Sequence, residues 1–239
     1  MIIILAVSFM PVSSLISTIS NLIFPNPIMQ SAIKNASTGN ILWFALIVTA
    51  LQPAIFEELS FRGIVASSFE EYPTKIAAIM SGMYFGFFHL NFNQFFYASA
   101  VGIVMFYLLY YTKSIFASMI FHFTNNGISA LLGHILTSQK STETTGNVSA
   151  ISYILGFAFI LAIFVPIFIA VFRAFVSYNK KHNMPSETIS YTLNDTNLET
   201  DLDSIKKQKI LTPTFFIVSG IFIAFASFIQ IYYNIIIRR

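Results

Sequence analysis

Residues 56–63 read FEELSFRG, which sets Glu57, Glu58 and Arg62 inside an otherwise uncharged apolar run beginning at Ile41. A charged side chain at the centre of a membrane helix costs about 2.5–3.5 kcal/mol, so three within a turn and a half must be paired, neutralised or turned toward a polar cavity. Glu58 and Arg62 are four residues apart with the acid first, which puts them on one helical face in the better order for an ion pair. Glu57 lies about 100° away round the helix and needs different company. Gln52 and Pro53 stand one turn upstream, where a proline frees a backbone carbonyl and favours a kink beside Glu57.

The remainder of the chain establishes that this helix is a membrane helix. Of the 239 residues, 56% are hydrophobic and 10% charged, with a mean hydropathy of +0.72, whereas soluble domains carry about 25% charged residues. Eleven of the charges fall between Arg173 and Lys209, so most of the chain is nearly bare of them. Uncharged stretches of about 18 residues or more read as spans. Seven candidate spans fall at about 1–24, 41–67, 74–90, 94–112, 114–136, 151–174 and 213–237. Their apolarity is continuous rather than alternating, which selects helices over a barrel. The expected fold class is all-α, a polytopic transmembrane helical bundle of about seven spans.

Three regions follow: an N-terminal span and loop (1–40), a core carrying the polar residues (41–136), and two C-terminal spans with a long polar loop at 177–212 (137–239). Pro25 and Pro27 punctuate the end of the first span and Pro73 the start of the third. The loop has mixed charge and few aromatics, the composition of a mobile segment. No internal repeat supports an inverted-repeat transporter. The absence of cysteine excludes disulfides, thiolate metal sites and a cysteine nucleophile. The net charge of +3 sits in loops and tails rather than in a basic stripe, which argues against nucleic acid as a partner. The first segment lacks a basic n-region and exceeds a signal-peptide core in length, so it reads as a retained span; it begins apolar at Met1, which leaves room for an upstream segment. Lys75, Lys113, Arg173, Lys180, Lys181, Lys206, Lys207 and Lys209 group on one side, against Lys34, Lys140, Arg238 and Arg239 on the other. The first side is expected to be cytoplasmic, with the N-terminus inside and the C-terminus outside.

Other polar residues embedded in spans are candidate company for Glu57: His89 in FGFFHL, and His122 with Asn126 in FHFTNN. His122 and Asn126 share a helical face. At about 1.5 Å per residue, Glu57 lies roughly 15 Å and His122 roughly 12 Å from the same end of their spans, so the two can meet. His89 lies roughly 22 Å from that end, which requires its helix to tilt or to start outside the bilayer. His134 is about 120° off the face of His122 and His182 falls in the polar loop, so neither joins the set.

Each residue taken singly has a plain structural use. An ion pair such as Glu58 with Arg62 can fix a helix, a buried histidine can be a packing residue, and an asparagine can bond between helices. Their joint presence in so apolar a chain points to chemistry. A carboxylate in an apolar pocket can take a proton from water, while a neighbouring histidine orients that water or protonates a leaving amine. Asn126 or a second histidine can donate to a developing oxyanion. Glu57, His89 and His122 are equally a zinc-ligand set with an open position for water, and the H-E-x-x-H spacing that would select zinc is not present. A third use is a proton relay in a transporter.

In order along the chain, EELSFR (Glu57 to Arg62), FGFFH (Phe85 to His89) and HFTNN (His122 to Asn126) resemble the EExxxR, FxxxH and HxxxN motifs of the CPBP intramembrane proteases. That family includes the type II CAAX prenyl endopeptidases and the bacterial Abi or bacteriocin-immunity proteins. The resemblance extends over roughly 41–136. It implies an intramembrane endopeptidase acting on membrane-associated peptides or proteins, in a multi-pass protein of the bacterial plasma membrane. By it, Glu57 would activate water, His89 and His122 would complete the site, Asn126 would stabilise the oxyanion, and Glu58 with Arg62 would support them. A non-catalytic immunity protein is the family's other implied role. The long polar loop and the short N-terminus stand outside the motif pattern.

Overall fold

The computed structural model describes residues 1–25, 42–69, 72–138 and 150–183, and everything regular in them is helical. Six helices succeed one another: α1 (Ile2–Ile23), α2 (42–69), α3 (Thr74–Phe88), α4 (Phe92–Thr112), α5 (Ile115–Ser138) and α6 (Ala150–Asn183). Five are long and apolar enough to cross a membrane: α1, α2, α4, α5 and α6. The expected span at 74–90 forms a helix of 15 residues. Its length of about 22 Å falls short of the roughly 30 Å hydrocarbon core. The expected span at 213–237 lies outside the described residues, as does the polar loop beyond Asn183. The first residues assigned to that loop, from Ser177, continue α6 instead.

α2 is not uniform. Wider π turns at Ile47–Leu51 and Phe61–Val65 flank the α-helical Gln52–Ser60, and a 3₁₀ turn at Ala66–Phe69 closes it. Both π turns lie within a few residues of the charged stretch, the setting in which such turns are often found. Pro53 cannot offer an N–H to the carbonyl four residues back, which belongs to Thr49. That oxygen accepts instead from Asn126 Nδ2 of α5, at 3.1 Å. The local defect that the proline creates therefore becomes a tie between helices.

Lipid tails are as apolar as leucine, so helices in a bilayer associate through close packing and hydrogen bonds rather than by hydrophobic expulsion. α3 and α4 meet at glycines. A Cβ on Gly82 would fall 2.6 Å from the backbone oxygen of Ser99, one on Gly86 2.6 Å from that of Phe95, and one on Gly102 2.9 Å from the Cα of Gly82. Two of those three obstacles are backbone oxygens and the third a backbone carbon, so no side chain can be accommodated by a rotamer change. One buried cluster draws on all six helices, with Phe9, Phe85, Met105, Phe121 and Phe175 among its members. α4 runs through the middle of it. Pairs such as Phe24 with Phe92 at one end and Tyr111 with Phe175 at the other set α1 antiparallel and α6 parallel to α4.

Candidate active site

The site is assembled from the middle of α2, the C-terminus of α3 and the middle of α5. Glu58 is fully buried and Arg62 nearly so. The spacing of four places them together as the sequence reading expects: Arg62 Nε lies 3.1 Å from Glu58 Oε2, and its Nη1 donates to Oε1 at 3.3 Å. Arg62 also donates through Nη2 to the carbonyl of Gly102 in α4 at 3.1 Å and rests its guanidinium 4.7 Å from the centre of the Phe85 ring. Gly102 lets α3 come close, and its oxygen helps hold the charge on α2.

His122, also buried, contacts Glu58 Oε1 through Nδ1 at 2.9 Å. Glu58 thus serves two partners, which a carboxylate with about four lone-pair sites can do. Ser118, one turn before His122 and fully buried, stands beside the same carboxylate. His89 closes α3, and its Nδ1 lies 2.9 Å from the carbonyl oxygen of Phe85. A carbonyl or a carboxylate can only accept here, so in both histidines Nδ1 donates. Each neutral ring therefore keeps Nε2 as an acceptor for the site. The Phe85 ring stands edge-on to both imidazoles, 5.2 Å from His89 and 5.7 Å from His122.

Glu57 is half-buried. Its Oε2 is enclosed and accepts no hydrogen bond from the described residues, although His122, Glu58 and Arg62 all lie within electrostatic reach. Asn126 spends one amide proton on Thr49 and accepts at Oδ1 from Asn125 Nδ2 at 3.3 Å. Its second amide proton is uncommitted in these contacts. Among the described residues no three side chains of His, Cys, Asp or Glu gather into a group able to hold a metal ion.

Several site residues carry no motif that would announce them. Leu90 follows His89 with φ of 54°, an uncommon conformation for a residue with a side chain. Asn91 then caps α4 by accepting from the Gln94 N–H at 2.8 Å, and its Nδ2 donates to the His89 carbonyl at 3.0 Å. Such a cap is worth about 1 kcal/mol, and here it also fixes the residue that carries the imidazole. The N-H-x-polar signature of a cap was available in the sequence at LNFNQ, but it does not say that the capped turn holds a site. Tyr97 of α4, within reach of Glu57, is a second such residue.

A bundle of apolar helices that encloses, among the described residues, one ion-paired acid, one acid with an unbonded oxygen and two histidines defines the class: a polytopic membrane protein with a buried polar cluster. Residues 39–128 match the family model of the type II CAAX prenyl endopeptidases, Rce1-like. The match spans all seven fixed residues of the three motifs and just over a third of the chain, and over this stretch the protein is similar to that family. No curated protein and no solved structure matches the chain.

Proposed function

We propose that the protein is an intramembrane endopeptidase in which Glu57 activates water for attack on a peptide bond. The observation that carries this reading is the contrast in satisfaction: Glu57 Oε2 is enclosed without a hydrogen bond from the described residues, within electrostatic reach of His122, whose Nδ1 is already committed. A free carboxylate oxygen is the group that can take a proton from water. The water attacks the carbonyl carbon of the scissile bond as its proton passes to Glu57, and the resulting oxyanion takes a hydrogen bond from the second amide proton of Asn126. The proton on Glu57 then passes, directly or through a histidine Nε2, to the departing amine. Glu58, held by Arg62, keeps His122 in the tautomer this requires. No step is assigned to a metal.

The substrates are membrane-associated peptides or proteins, reached within the bilayer. In this reading the end of the bundle that carries Lys75, Lys113, Arg173, Lys180 and Lys181 faces the cytoplasm, and the N-terminus lies on that side. Purified wild-type protein should cleave members of a library of membrane-anchored peptides, and Glu57→Gln should not. Equal cleavage by both proteins would refute the assignment.

A further inference from the structure

α6 is 34 residues long, about 51 Å at 1.5 Å per residue, which exceeds the roughly 30 Å that a span requires. Its apolar part exposes Leu155, Phe159, Ile163 and Ile167, and its last turns carry Arg173, Lys180, Lys181 and His182. Where that change of character occurs, a groove of about 550 Å³ opens between α6 and the end of α4. Its wall is apolar toward the middle of the bundle, at Phe168 and Phe172, and cationic toward the end, at Arg173 and Lys180, with Ser177 and Tyr111 at the same level. Arg173 and Lys180 are seven residues apart, hence on one face and about 10 Å apart along the axis, with Ser177 between them.

Nothing described neutralises this pair. The acidic residues among the described residues are Glu57 and Glu58 of α2, and Glu58 is bound to Arg62 and His122. The level of the groove in the membrane is marked by its neighbours. Tyr107, Tyr110 and Tyr111 crowd the end of α4, and Lys113 lies over the Tyr110 ring, the combination of amphipathic rings and basic residues that sits among lipid headgroups. An occupant must therefore be anionic at one end, apolar along its length and supplied at the bilayer surface. We propose that this groove binds an anionic phospholipid, with its phosphate between Arg173 and Lys180 beside the Ser177 hydroxyl and an acyl chain along Phe168 and Phe172. Basic pockets between membrane helices have this use, and each Lys or Arg near the surface contributes about fivefold in affinity.

The test is native mass spectrometry of the full chain, released from micelles containing equal amounts of phosphatidylglycerol and phosphatidylcholine, with unfolding temperatures measured in each lipid alone. The wild type should retain phosphatidylglycerol preferentially and be stabilised by it. The Arg173→Gln, Lys180→Gln double variant should lose that preference by about 25-fold, two cations at about fivefold each. Its unfolding temperature in phosphatidylcholine should match the wild type, because both side chains are exposed. A Lys75→Gln, Lys181→Gln variant, altered at the same end but outside the groove, should keep the preference. Equal retention of the two lipids by the wild type would overturn the proposal, as would undiminished preference in the groove variant. Stabilisation by inorganic phosphate alone to the same extent would also overturn it, by showing a soluble anion to be sufficient.

Discussion

Glu57 and Glu58 are neighbours in sequence and opposites in surroundings. Glu58 is fully buried, ion-paired through Oε2 with Arg62 and hydrogen-bonded through Oε1 to Arg62 and His122, whereas Glu57 is half-buried and its enclosed Oε2 has neither an ion-pair nor a hydrogen-bond partner among the described residues. The step of about 100° between successive helical residues produces the difference. One carboxylate faces the cation on its own helix and the histidine of α5; the other faces what is left. In a medium where an ionised group is expensive, a satisfied acid is a framework component and an unsatisfied one is poised to exchange a proton. The proposed mechanism depends on this division between two adjacent residues, and its parts can be separated experimentally.

The largest expected effect is on catalysis at the unsatisfied acid. Glu57→Gln should reduce peptide cleavage by about 10²–10⁴-fold, the usual contribution of a general base, while leaving the unfolding temperature at or above that of the wild type. Cleavage near the wild-type rate would end the distinction. On the satisfied side, Arg62→Ala leaves Glu58 buried beside His122 alone, and breaking such a pair should cost about 3–5 kcal/mol of stability. Thermal unfolding in detergent measures it; an unchanged transition would show that the ion pair carries no structural weight.

The histidines sharpen the comparison because they belong to different sides. His122→Ala removes a hydrogen bond from Glu58 and should lower both activity and stability, the latter by about 1–3 kcal/mol. His89→Ala removes a bond to its own helix's backbone and ring contacts with Phe85 and Phe88 of that same helix, so cleavage should fall with little change in unfolding. Combining Glu57→Gln with His122→Ala should cost scarcely more cleavage than Glu57→Gln alone, because members of one catalytic unit are not additive. Independent multiplicative losses would show that they do not act together. Asn126→Ala strands the Thr49 carbonyl and should destabilise by about 1–2 kcal/mol, in addition to its loss of activity.

The sequence made some of this legible and hid the rest for identifiable reasons. The pairing of Glu58 with Arg62 could be read because both partners lie on one helix, where spacing is geometry. The freed carbonyl beside Pro53 could be expected for the same reason, but not its acceptance of a proton from Asn126, 77 residues from Thr49. His122 was legible as company for Glu57, yet its Nδ1 is committed to Glu58. Rotation about an interhelical axis is not encoded in local spacing, so which acid a histidine from another helix meets could not be read. The shortness of α3 was similarly hidden. Hydropathy runs on from 74 to 90, but Leu90 turns at positive φ and Asn91 starts α4, so the helix ends at Phe88.

The two π turns of α2 bracket the charged segment like shims on a shaft. In a regular α-helix every residue has a fixed angular address, and removing one residue turns everything beyond it by about 100°. A π turn takes an extra residue into its loop, so it is a place where the chain can lose a residue and still remain a continuous helix. A single deletion within Ile47–Leu51 would therefore be expected to restore a regular α-helix there and leave the bearings of Glu57 and Glu58 nearly unchanged, whereas a deletion in the α-helical turn before Glu57 would bring Glu58 toward the bearing now held by Glu57. The identity of the reactive acid is, on this view, a matter of phase as much as of composition, and the one turn upstream that can absorb a change of length contains no charged residue.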